Sequence, residues 1–195
     1  AAKGSTPAVP KDKVSLSSEA AQGPTGSEDK RATSITDALS KNWKTFDADG
    51  NGHLTESEIK KSLGGKDLSP DEKAALSSLR GRQGQMESAS NDEWGVDNDG
   101  LTTKDIKTFE NADSQDSKIL REQFKIEQDL AREKPLDPSM KDKPADLSKL
   151  NGTRDFYLER YKDFRRRNPS DKAPDYYLNY GLKYFDRFHA QKDGL

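Results

Sequence analysis

The sequence predicts an all-α protein, and three observations carry that prediction. Apolar residues recur at helical spacing in separate runs, among them Leu39, Trp43 and Phe46, then Ile119, Leu120, Phe124, Ile126 and Leu130. Helix-start signals stand before several of these runs, such as Ser34-Ile35-Thr36-Asp37 and Ser69-Pro70-Asp71-Glu72. Hydrophobic residues make up only 30% of the chain and charged residues 35%. An ordinary globular domain is roughly 45–50% apolar. So little apolar surface suits one or two small helical units and some disordered chain, not one large core.

Residues 1–33 are Gly, Ser, Thr, Pro and Ala with scattered charges, and Val9, Val14 and Leu16 are their only larger apolar residues. They read as a disordered tail, with a secretion or docking segment as the alternative. A first helix is expected from Ser34 through Phe46. The next twelve residues carry the strongest signal in the chain. Asp47, Asp49 and Asn51 place short oxygen-bearing side chains at alternate positions, and Gly52 allows the sharp turn that follows. His53 offers a backbone carbonyl, Thr55 a hydroxyl or a bridged water, and Glu58 a carboxylate long enough to close the shell. A hard cation with six to eight oxygen ligands is the species such a set suits. A second helix starts inside the loop, runs through Ile59 and Leu63, and stops at Gly64-Gly65.

Residues 34–64 resemble the EF-hand family of calcium-binding proteins. The resemblance implies a helix-loop-helix unit with Ca2+ held by Asp47, Asp49, Asn51, His53, Thr55 and Glu58. It also implies a paired second loop, and Leu101-Thr102-Thr103-Lys104-Asp105-Ile106 parallels Leu54-Thr55-Glu56-Ser57-Glu58-Ile59. That alignment sets Leu101 opposite Leu54 and Asp105 at the closing position. The front half departs from the family pattern, because strict spacing puts Trp94 and Val96 where ligands belong. If Gly100 is the turn glycine, Asp97 and Asp99 become ligands but Gly95 falls at the first position. The loop over 91–105 then either binds a second ion through Asp92, Asp97, Asp99 and Asp105 or serves as a metal-free partner. An aspartate at the closing position favours weaker calcium binding, or Mg2+ in competition.

Between the loops, a helix starting at Ser69 carries Ala74, Leu76, Leu79 and Met86, with Gly81 and Gly84 weakening its middle. Ile106 and Phe109 begin an exit helix, so residues 34–110 form the paired unit. Residues 111–150 comprise an amphipathic helix from Ser114 and a linker holding Pro135, Pro138 and Pro144. The stripe of that helix either covers the core of the pair or is a target-like helix gripped when calcium binds.

Residues 151–195 hold all six tyrosines. They read as a helical hairpin with an aromatic seam, divided by Asn168-Pro169 and restarted at Pro174-Asp175. The aromatics serve either as its core or as a stacking surface, with Tyr177 and Tyr184 as candidate partner-binding residues. Arg165-Arg166-Arg167 reads as a solvated helix end. The chain stops abruptly at Leu195 after a well-patterned helix, as a fragment would.

A net charge of −2 implies neither nucleic acid nor an anionic membrane as partner. No apolar run approaches the ~20 residues a membrane span needs. No signal peptide is visible, but Ala1 without Met is consistent with processing. The absence of cysteine fits cytoplasm and bacterial export alike and leaves the compartment open. No phosphate loop, nucleophile elbow or paired-histidine zinc motif occurs, so no catalytic residue is expected. The expected function is calcium binding by a structural or regulatory module. The alternatives are a secreted effector or enzyme whose C-terminal unit is calcium-regulated, and an adaptor that grips a protein through its aromatic hairpin.

Overall fold

A computed structural model describes residues 31–65, 67–90, 99–169, 178 and 181–183. All of them belong to the unit Arg31–Leu195. Among them are eight α-helices and a single isolated backbone bridge, so the fold is all-α as expected. The tail expected over residues 1–33 lies outside the described residues except at its end. There, Ala32 donates its N–H to Asp71 at 2.8 Å, and Arg31 pairs with Asp129 at 2.7 Å.

The helices are α1 (Ile35–Ser40), α2 (Trp43–Phe46), α3 (Glu56–Leu63), α4 (Pro70–Leu79), α5 (Gln83–Ser90), α6 (Thr103–Asn111), α7 (Gln115–Arg132) and α8 (Arg154–Arg167). Six of them begin at a hydroxyl residue: Ser34, Thr55, Ser69, Thr102, Ser114 and Thr153. Each of these side chains accepts the N–H three residues on. Such a cap satisfies a donor that the helix cannot and is worth about 1 kcal/mol.

Two helices expected as continuous are broken. The entering helix stops at Ser40 and restarts at Trp43, because Asn42 leaves helical geometry and its side-chain amide donates to Glu72. An asparagine side chain that finds a partner elsewhere competes with the helix for local conformation. The helix from Ser69 ends at Leu79 because Gly81 takes φ +79°. The corner turns Arg82 inward, where it is 1% exposed and donates to Gln123 from Nε and Nη2.

Two hydrophobic clusters result. The larger joins Ile35, Leu39, Phe46, Leu54, Ile59, Leu76, Leu79, Met86, Leu101, Ile106 and Phe109. The smaller joins Ile126, Tyr161, Leu178 and Leu182. Helix α7 belongs to both. Leu120 and Phe124 face the larger cluster, where α7 packs along α4, and Ile119 and Ile126 face the smaller, which includes α8. The amphipathic stripe therefore covers the core of the paired unit and also founds a second core.

Residues 134–150 are mostly exposed and contain two short 3-10 turns, Pro138–Met140 and Ser148–Leu150. Of the segment expected to form the second helix of a C-terminal hairpin, only residues 178 and 181–183 are described. Gly181 lies so close to Tyr157 that a Cβ there would stand 2.3 Å from the ring. Tyr177 and Tyr184, the candidate partner-binding residues, lie outside the described residues.

Candidate metal centre

The turn between α2 and α3 is closed by hydrogen bonds from its own backbone. Gly50 and Gly52 take φ +72° and +92°, which turns the chain around Asp47. Asp47 is 6% exposed, and its carboxylate accepts the Gly50 N–H on Oδ1 and the Gly52 N–H on Oδ2, both at 2.9 Å. Asp49 accepts the Asn51 N–H on Oδ1 and the Asn51 side-chain amide on Oδ2, each at 3.1 Å. Asn51 Oδ1 accepts the His53 N–H at 2.7 Å. Glu58 closes the ring: Oε1 accepts the Ala48 N–H at 2.8 Å, and Oε2 accepts the Thr55 N–H at 3.0 Å and its hydroxyl at 2.8 Å.

Carboxylate oxygens of Asp47, Asp49 and Glu58 thus lie within 4.8 Å of one another. Burial pushes the Glu58 carboxyl up, but hydrogen bonds from Thr55 and from the backbone of Ala48 and Asp49 outweigh it. They hold the group below the usual glutamate range. Each carboxylate oxygen has more than one lone-pair site, so an N–H donor that positions it does not exhaust it.

The second loop is described from Asp99 onward, and Asp92 and Asp97 fall outside the described residues. Leu54 and Leu101 form an antiparallel bridge, with N···O distances of 2.8 and 3.0 Å. Asp105 repeats the Glu58 arrangement, its Oδ2 accepting from Thr102 N–H at 2.8 Å and from the Thr102 hydroxyl at 2.7 Å. Asp99 reaches towards the first loop, with Oδ1 at 3.4 Å from His53 Nδ1. Among the described residues, Asp47, Asp49 and Glu58 are the one acidic group placed to hold a metal, and neither Asp99 nor Asp105 joins such a group.

Sequence reasoning missed the residues that brace both loops against the α4–α5 corner. Glu56 accepts the Gly81 N–H at 2.7 Å, and its own N–H donates to Gln83 at 3.0 Å. Gln83 donates to Glu87 at 2.8 Å, and Glu87 accepts the Gly100 N–H at 3.0 Å. In a chain this charged, nothing marks Glu87 as a buried acid.

Of the aromatic residues described in the C-terminal unit, Tyr161 belongs to the smaller cluster and Tyr157 packs against it. Tyr161 is fully buried, accepts from Gln123 at 3.1 Å and donates to Glu127 at 2.5 Å. Burial first, and then the Glu127 charge, push its hydroxyl far above the usual tyrosine range. The expected solvated helix end is instead paired throughout: Arg165 with Glu127, Arg166 with Glu133, and Arg167 with Asp163. No helix among the described residues is long and apolar enough to cross a membrane. No protein-family model, curated protein or solved structure matches the chain.

Proposed function

We propose that this protein binds calcium through the loop 47–58, as its resemblance to the EF-hand family implies, and that the metal holds its helices together. The observation that carries this reading is the convergence of Asp47, Asp49 and Glu58. Three carboxylates this close repel one another unless a cation compensates them. The donor set is all oxygen, which suits a hard divalent ion. Asp47, Asp49, Asn51, Thr55 and Glu58 would hold it with side-chain oxygens, and His53 with its carbonyl. Asp47 ends α2 and Glu58 lies in the first turn of α3, so one ion would tie the two helices together.

The scaffold reading is preferred to a sensor for a physical reason. Sensors of this chemistry open a methionine-rich groove. Of the two methionines here, Met86 is fully buried in the larger cluster and Met140 is exposed on the segment 134–150. One ion per chain is proposed, with the second loop as a structural partner whose Asp105 acts as a helix cap. No catalytic residue is assigned. The alternative, a C-terminal unit acting on a partner through Tyr177 and Tyr184, rests on residues outside the described ones.

Thermal unfolding in calcium and in chelator tests the scaffold reading. An ion at a hundred times its Kd adds about 2.7 kcal/mol to the native state. The midpoint should rise with calcium and keep rising as calcium increases. An unchanged midpoint at millimolar calcium would count against it.

A further inference from the structure

We propose that a groove on the C-terminal half binds a peptide segment of a partner protein that carries both acidic and apolar side chains. The groove lies between the end of α7, the proline-containing segment 134–141 and the end of α8, and has a volume of about 850 Å³. Ligand pockets usually span ~300–1,000 Å³.

Two independent observations point to its occupant. The first is charge. The groove's two acids, Glu127 and Glu133, are already paired with Arg165 and Arg166, and Arg167 is paired with Asp163. Lys73, Lys134 and Lys141 also line it, and no ion pair involves them among the described residues. Three ammonium groups without an ion-pair partner among the described residues, around a concave surface, favour an anionic ligand.

The second is apolar exposure. Leu130, Ala131, Leu136 and Pro138 also line the groove. Leu136 and Met140, 38% and 45% exposed, are the exposed large hydrophobic side chains among the described residues, and both lie on the segment that borders it. A purely anionic ligand would leave this apolar surface wet, whereas a peptide with acidic and apolar residues covers it while meeting the lysines. Pro135 and Pro138 have no N–H to offer an added strand, so side chains rather than backbone pairing must hold the peptide. A bilayer surface offers the same charge and apolarity, but it is flat where this site is concave.

The test is selection of short random displayed peptides on the full-length chain. It is followed by binding of the enriched peptides to wild type, to the charge-reversed K73E/K134E/K141E and to L136S/M140S. Vesicles of phosphatidylserine and phosphatidylcholine form a parallel arm. These substitutions are at surface positions, and circular dichroism verifies that each variant is folded. Enriched peptides should combine acidic and apolar residues, bind more weakly as salt rises, and lose about tenfold or more in affinity with each variant. Any of three results would overturn the proposal: no enrichment, peptides without acidic bias, or equal binding to wild type and both variants. Vesicle binding that both variants abolish, with no enriched peptide, would assign the surface to a membrane instead.

Discussion

Leu54 and Leu101 exchange both of their backbone hydrogen bonds, at 2.8 and 3.0 Å, and both side chains are fully buried. The bridge joins two loops otherwise 47 residues apart, as the Gly100 carbonyl and His53 show at 3.4 Å. Leu101→Ala therefore removes a core side chain and loosens the loop paired with the candidate metal centre. Such truncations cost ~2–5 kcal/mol. Chemical denaturation should show that loss, and calcium titration a weaker site in the variant.

Gly100 sits beside that bridge with φ +122°, and a Cβ there would stand 3.1 Å from His53 Cβ and from the backbone of Leu54 and Thr55. Both the left-handed backbone and the close approach exclude a side chain. Gly100→Ala should destabilise the chain by about 1–3 kcal/mol, read as a lower thermal midpoint. Gly84→Ala, where a Cβ meets nothing within 4 Å, should leave the midpoint unchanged or raise it.

The ion pair of Glu127 with Arg165, at 2.7 Å and with both side chains almost fully buried, joins α7 to α8. Arg165→Met leaves the Glu127 charge buried beside the Tyr161 hydroxyl with no cation to balance it, a change that costs ~3–5 kcal/mol. Replacing both partners, as E127L/R165M, removes the stranded charge and should recover much of the loss. A double-mutant cycle in urea measures the difference. Equal stability of the single and double variants would contradict the reading.

Acid should weaken the fold through carboxylates whose hydrogen bonds exist only in the native state. At Glu72, burial raises the pKa, but Ser69 and Asn42 outweigh it and hold the group below its ordinary 4.5. At Asp71, burial is likewise outweighed by the Ala32 N–H, Arg132 and Gln128, which hold it below 3.8. Depressed native pKa values stabilise the fold above the unfolded values, and that stability is lost as pH falls through the native ones. The unfolding midpoint should therefore drop on acidification below pH 4.5, and Asp71→Asn should flatten the slope at its acid end.

Local chemistry was the legible part of this chain. The loop 47–58, the helix starts at Ser34, Ser69 and Ser114, and the pairing of Leu54 with Leu101 each depend on residues close in sequence or on one repeated pattern. The break at Asn42 depends on a distant partner, Glu72, that no window of sequence reveals, whereas the break at Gly81 was half visible, since the glycine marks a weak point in the helix but its distant partner Glu56 does not show. The chain Arg82–Gln123–Tyr161–Glu127–Arg165 was illegible for another reason. In a sequence with 35% charged residues, a buried arginine or glutamate looks like any solvated one. The double role of α7 was half visible, since its stripe was plain but its two separate apolar partners were not.

A calorimetric calcium titration of wild type and Glu58→Gln, with magnesium in excess, tests the central claim most directly. The account predicts binding of one calcium ion per wild-type chain and its loss in Glu58→Gln. Absence of binding to wild type at millimolar calcium, or equal binding to both proteins, would contradict it.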